Sequence, residues 1–146
     1  MATHRTSSPS ETHRLGVRLG SQIQPPRTVF LCGELGSGKT ALVKGLAEGL
    51  GVEDPDSVHS PTFSLINEYP APWGTIYHVD LYRLEGRREQ DSVGLQEILD
   101  SDGVVIIEWA ERLKLESDPP LHIEIRILDD DENGDGRIFR VRGLSD

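Results

Sequence analysis

The 146-residue sequence predicts a mixed α/β fold, on three observations. A short apolar run, "RTVFLC", passes through the glycine-rich turn "GELGSGKT" into "TALVKGLAEGL", where Leu42, Leu46 and Leu50 recur at helical spacing. A second apolar run, "VVIIEW", is continuous and has the length of a buried strand. Two pairs of extended runs flank turn-forming residues and read as antiparallel hairpins.

Taken in order, residues 1–9 are polar and expected to be a disordered leader, and residues 10–146 a single domain. "SETHRLGVRLGSQI" predicts a helix with Ser10 as its N-cap. Leu15, Leu19 and Ile23 repeat every four residues and face the core, and Pro25 and Pro26 stop the helix before "RTVFLC". After the glycine turn and its helix, "GVEDPDSVHSPT" is a loop. "FSLINEY" and "TIYHVDLY" form a hairpin across "PAPWG", where Pro and Gly supply the turn. "GLQEILDSD" is a short helix ending before Gly103, "VVIIEW" a strand, and "AERLK" a further helix. "LHIEIRIL" and "RIFRVRG" alternate around "DDDENGDG" and pair as a terminal hairpin.

Composition narrows the function. With 25 Asp plus Glu against 15 Lys plus Arg and a net charge of -10, bulk charge does not attract a polyanion, so service to a nucleic acid would run through a partner. The one cysteine, Cys32, ends an apolar run; it reads as a structural thiol and cannot form an internal disulfide. No stretch approaches the roughly 18 to 20 apolar residues of a membrane span, and the N-terminus lacks an apolar signal core. A cytoplasmic protein with no membrane association is expected.

"GELGSGKT" satisfies G-x-x-x-x-G-K-[ST] at Gly33, Gly38, Lys39 and Thr40, between a strand and a helix. Glycines let successive N–H groups turn toward phosphate oxygens, and the positive end of the following helix favours the anion. The nucleotide-binding set is therefore Glu34, Leu35, Gly36, Ser37, Gly38, Lys39, Thr40 and Ala41. Lys39 adds a point charge at the β and γ phosphates, and the Thr40 hydroxyl is a ligand for Mg²⁺.

Such a site also needs a carboxylate at a strand end. "VVIIE" ends in Glu108 and "IYHVD" in Asp80, and spacing does not choose between them; each alone also reads as a solvated strand-end acid. Alternation groups His78, Asp80 and Tyr82 on one face, with His78 either at the site or a hydrogen-bonded structural histidine. Thr62 of "HSPTF" occupies the loop where P-loop switch proteins sense the γ-phosphate, or else it belongs to a simple turn. The acidic segment from Asp129 imitates the opening of a calcium loop. Its twelfth position holds Arg140 where the bidentate Glu is required, so it reads as a solvated hairpin tip.

"GELGSGKT", "SPTF", "HVDLYR" and "IIEW", in this order, resemble the bacterial TsaE (YjeE) family of small P-loop ATPases, and "ETHRLGVRLG" is similar to its opening helix. The resemblance spans residues 10–128. It implies a P-loop NTPase-like three-layer sandwich, its central sheet parallel around the phosphate loop with antiparallel hairpins added. It implies ATP and Mg²⁺ as cofactors and TsaD and TsaB as partners, with tRNA met only through them, in threonylcarbamoylation of adenosine in tRNA. By the same motifs Lys39 and Thr40 contact phosphate and Mg²⁺, Asp80 and Glu108 are the acids around the metal and attacking water, and Thr62 lies in a switch-like loop. Trp109 matches an aromatic of "IIEW", with core packing as its alternative role. A small-molecule P-loop kinase is the rival reading, with Arg83, Arg87 and Arg88 of "LYRLEGRREQ" as its lid arginines or simply an exposed charged turn.

Overall fold

A computed structural model of the chain describes residues 1–34, 38–59, 65–84, 86–128 and 134–144. In chain order its elements are β1 (Ala2–Thr6), α1 (Pro9–Ser21), β2 (Arg27–Gly33), α2 (Lys39–Gly49), β3 (Ile66–Ala71), β4 (Gly74–Asp80), α3 (Arg87–Ser92), α4 (Leu95–Leu99), β5 (Val104–Glu108), β6 (Leu121–Ile127) and β7 (Arg137–Arg142). The strands form one seven-stranded sheet in the order β1-β7-β6-β2-β5-β4-β3. β6, β2, β5 and β4 run parallel, while β3 on one side and β7 and β1 on the other are antiparallel. The continuous apolar run of β5 follows from this arrangement, because a central parallel strand is covered on both faces.

α1 and α2 cover one face, packing Leu15, Leu19, Leu42 and Leu46 onto Val29, Leu31, Ile76 and Ile106. Each such buried leucine contributes about 1.5 to 3 kcal/mol. The other face carries Leu84, Leu95, Leu99 and Ala110 against Val79, Val105 and Ile107. Helices on both faces of the sheet make the three layers. The two large helices meet along glycines: a Cβ on Gly16 or Gly20 would fall 2.6 or 2.3 Å from a backbone oxygen of α2, and one on Gly45 2.2 Å from the His13 oxygen.

The structure departs from the sequence expectation at several places. Ala2–Thr6, within the segment expected to be a disordered leader, is an edge strand paired with β7, and Thr6 Oγ1 lies 2.7 Å from Thr12 Oγ1. Backbone pairing to a distant strand makes this order, which local composition does not reveal. The cap of α1 lies two residues before the expected one: Ser8 accepts from the Glu11 N–H at 3.1 Å and Pro9 opens the first turn. "AERLK" makes only a single 3-10 turn, Ala110–Arg112, and "GRREQDS" yields the short helix α3. The terminal pairing of β6 with β7 is as expected; of the acidic tip, residues 129–133 lie outside the described residues.

Candidate functional site

β2 runs out at Gly33 and α2 begins at Lys39, so the two residues that bound the glycine segment lie at the carboxyl edge of the parallel strands. Gly38 has φ 102°, a left-handed conformation that glycine adopts without strain, and its carbonyl accepts the Leu42 N–H at 3.1 Å. Lys39 follows immediately and is 8% exposed. Its Nζ donates to the Gly33 carbonyl at 3.0 Å and lies 5.1 Å from the centre of the Trp109 ring. Glu34 and Thr40 are exposed and Ala41 is half-buried, whereas Leu35, Gly36 and Ser37 lie outside the described residues. So does Thr62.

Strand register brings the two acids together. β4 and β5 pair in parallel with Asp80 opposite Glu108 and end level, and β2 pairs with β5 with Leu31 opposite Glu108 and runs two residues further, to Gly33. The acids then differ in surroundings. Glu108 is buried, with Oε2 2.6 Å from His78 Nε2 and Oε1 3.9 Å from Lys39 Nζ. A buried carboxylate without such partners would be strongly unfavourable. Asp80 is half-exposed, and its Oδ1 accepts the Tyr82 N–H at 2.9 Å.

His78, one of the two possibilities raised by alternation, joins Glu108 and is 1% exposed. Tyr82 does not join this face. β4 ends at Asp80, and Tyr82 lies outside it, exposed, with its ring 5.1 Å from that of Trp109. Trp109 itself has φ 58°, uncommon for a bulky side chain, and sits between Lys39 and Arg112, whose guanidinium is 5.0 Å from the ring. Its ring also packs against the apolar cluster of the second sheet face, so it serves packing while bordering the site.

Sequence reasoning missed Tyr69, Asn67 and Arg112. Tyr69 Oη donates to the His59 carbonyl at 2.9 Å and lies 3.4 Å from His78 Nδ1. Arg112 Nη1 donates to the Tyr82 carbonyl at 2.5 Å. No local motif marks these residues; strand pairing of β3 with β4 brings in Asn67 and Tyr69, and the turn after Trp109 brings in Arg112. Cys32 is half-buried, and its thiol is pushed up to about 11 by burial first and then by the Glu111 charge and hydrogen bond, in keeping with a structural thiol. Among the described residues, no group of three or more His, Cys, Asp or Glu side chains forms a metal cage.

Four parallel strands, helices on both faces and a glycine–lysine–threonine turn from β2 into α2 define a P-loop NTPase-like α/β domain. The chain belongs to the TsaE family: the family model described as "Threonylcarbamoyl adenosine biosynthesis protein TsaE" matches residues 6–138. The match extends past the motifs quoted above into the terminal hairpin. The tRNA threonylcarbamoyladenosine biosynthesis protein TsaE of Aquifex aeolicus is 36% identical over 135 residues, covering 91% of this chain and 92% of that protein. The protein of the same name from Bacillus subtilis is 38% identical over 129 residues, covering 88% and 79%. The crystal structure of YdiB from Bacillus subtilis matches with a TM-score of 0.73 at 29% identity, over 99% of this chain and 86% of that one.

Proposed function

We propose that this chain binds and hydrolyses ATP with Mg²⁺ to support TsaD and TsaB in threonylcarbamoylation of adenosine in tRNA. The biosynthesis of threonylcarbamoyladenosine is the role its family's description carries. The observation that supports the ATPase reading best is the buried pair at the mouth of the glycine turn, Lys39 on the first turn of α2 and Glu108 at the end of β5, 3.9 Å apart. A lysine at a helix N-terminus below inward-turned N–H groups neutralises phosphate charge, and a carboxylate at the adjoining strand end orients water.

The donors available for Mg²⁺ are the Thr40 hydroxyl and the Glu108 and Asp80 carboxylates, hard oxygens that suit this ion. When bound, Mg²⁺ supplies charge neutralisation across the β and γ phosphates. Lys39 holds the phosphates, and Glu108 and Asp80 hold and orient water. A net charge of -10 agrees with tRNA being held by the partners. A role in tRNA modification goes with a cytoplasmic setting, and among the described residues no helix is long and apolar enough to cross a membrane.

The kinase reading draws less support. Arg87 and Arg88 lie on α3, whose Gln90 is anchored to the Leu84 and Arg112 carbonyls at 2.8 and 2.7 Å, in the layer on the sheet face opposite α2. Phosphate release under Mg²⁺ and saturating ATP, measured with and without TsaD and TsaB, tests the proposal. Slow release alone and faster release with both partners is expected, since a cation supplied in trans is worth on the order of 10³ to 10⁵ in rate. Equal turnover in both conditions, or a phosphorylated metabolite as product, would return the kinase reading to first place.

A further inference from the structure

Lys39 and Glu108 are buried, opposite in charge and 3.9 Å apart, yet they do not close into a contact pair. In so dry a place their attraction is far stronger than in water, so something holds them apart. On the lysine side the tether is the Gly33 carbonyl, 3.0 Å from Nζ. On the carboxylate side it is His78, whose Nε2 takes Glu108 Oε2 at 2.6 Å. His78 opposes Ile106 in the register and reaches Glu108 diagonally, two residues along β5.

His78 is itself braced. Tyr69, one strand further out on β3, presents its hydroxyl 3.4 Å from His78 Nδ1. That hydroxyl is clamped to the backbone of His59, donating to its carbonyl at 2.9 Å and facing its N–H at 3.3 Å, while Asn67 Nδ2 donates to the same carbonyl at 3.2 Å. Tyr69 and His78 are 3% and 1% exposed, so water does not replace either contact.

We propose that His78, braced by Tyr69, is a positioning residue that keeps Glu108 from capturing Lys39, so that the lysine stays available to a nucleotide phosphate. This rests on the nucleotide-binding reading above. Removing the imidazole leaves a buried carboxylate with one strong partner in reach. Glu108 then closes on Lys39, and phosphate must compete with it. The consequence is a distinctive pattern in binding, because removing the competing charge restores what losing the histidine takes away.

The test is equilibrium binding of a fluorescent ATP analogue, with and without Mg²⁺, to the wild-type chain, His78→Phe, His78→Gln, Glu108→Gln and the His78→Phe/Glu108→Gln double variant. His78→Phe is expected to weaken binding at least about tenfold, the scale of a hydrogen bond to a charged group. His78→Gln, which still donates to Glu108, should bind within about threefold of wild type. Without Mg²⁺, where Glu108 has no metal to hold, the double variant should regain most of the lost affinity. Unchanged binding in His78→Phe, or a loss that Glu108→Gln does not relieve, overturns the proposal and returns His78 to a purely structural role. Wild-type protein that binds no ATP brings down the nucleotide reading itself, and this proposal with it. Should His78→Phe fail to fold, Tyr69→Phe carries the test: about threefold weaker binding relieved by Glu108→Gln supports it, and no change overturns it.

Discussion

Replacing Gly45 by Ala adds one methyl group where α1 and α2 touch. The new Cβ would lie 2.2 Å from the His13 carbonyl oxygen, 2.8 Å from Gly16 Cα and 3.0 Å from Val17 N. Every one of these atoms is backbone, so no side chain can swing aside, and the first distance is more than an ångström short of ordinary contact. α1 must move as a body, away from a face where Leu15 and Leu19 are buried. Alanine is favoured over glycine inside a helix by about 1 kcal/mol, which opposes the effect. Overpacking of a rigid core typically costs about 1 to 3 kcal/mol, and with only backbone to yield the upper end applies. The expected net loss is about 1 to 2 kcal/mol, a fall in melting temperature of roughly 3 to 8 °C for a chain of this length. Urea and thermal unfolding of Gly45→Ala, with the exposed Lys44→Ala of the same helix as control, measures it. Because α2 also starts with Lys39, nucleotide affinity should fall in step. A Gly45→Ala protein as stable as wild type would show that the helices have slack and that the glycine seam does not set their distance.

Lys39→Ala should abolish nucleotide binding or turnover and also lower the urea midpoint, because it takes this partner from buried Glu108 and from the Gly33 carbonyl; full phosphate release in this variant would sink the phosphate-loop reading. Asp80→Asn and Glu108→Gln should each lower Mg²⁺-dependent hydrolysis by more than about tenfold, equivalent to roughly 1.4 kcal/mol of barrier, and an acid whose variant keeps full rate in a phosphate-release assay is structural. For Cys32 the folded thiol is raised from 9.0 to about 11, so the folded state favours the neutral form. Its stabilising effect is complete below the unfolded value and is lost as pH rises through the folded one. Urea midpoints should therefore fall more between pH 9 and 11 for wild type than for Cys32→Ala, and alkylation of the native protein near neutral pH should be slow.

Much of the fold is written locally. The strand–glycine turn–helix unit is contiguous from Arg27 to Gly49, and the hairpins of β3 with β4 and β6 with β7 announce themselves by alternation around turn residues. The Ser8–Pro9–Glu11 start of α1 was also legible, as a cap, an N1 proline and an acid three residues after the cap, although Ser10 is the more obvious candidate from the apolar repeat. The glycine spacing four apart in both α1 and α2 is visible too, yet its meaning depends on the two helices being neighbours. β1 is different. Its polar sequence carries no strand signal, and only the free edge of β7 orders it.

At the site the division follows the same physics. The sequence by itself picked out the glycine–lysine–threonine segment as the candidate phosphate site, because its glycines, helix start and lysine all lie within one contiguous stretch. It also marked Asp80 and Glu108 as strand ends, since a carboxylate closing an apolar run must lie at the sheet's edge. It could not rank them. Register across three separate strands decided that Glu108 is buried between His78 and Lys39 while Asp80 is half-exposed and engaged by the Tyr82 N–H. Tyr69 enters the site only through β3 pairing with β4, and Arg112 only through the chain's turn after Trp109. Side-chain partners in a sheet are chosen by pairing between segments distant in sequence, and that pairing is settled by burial of the whole core, so no window of local sequence contains it.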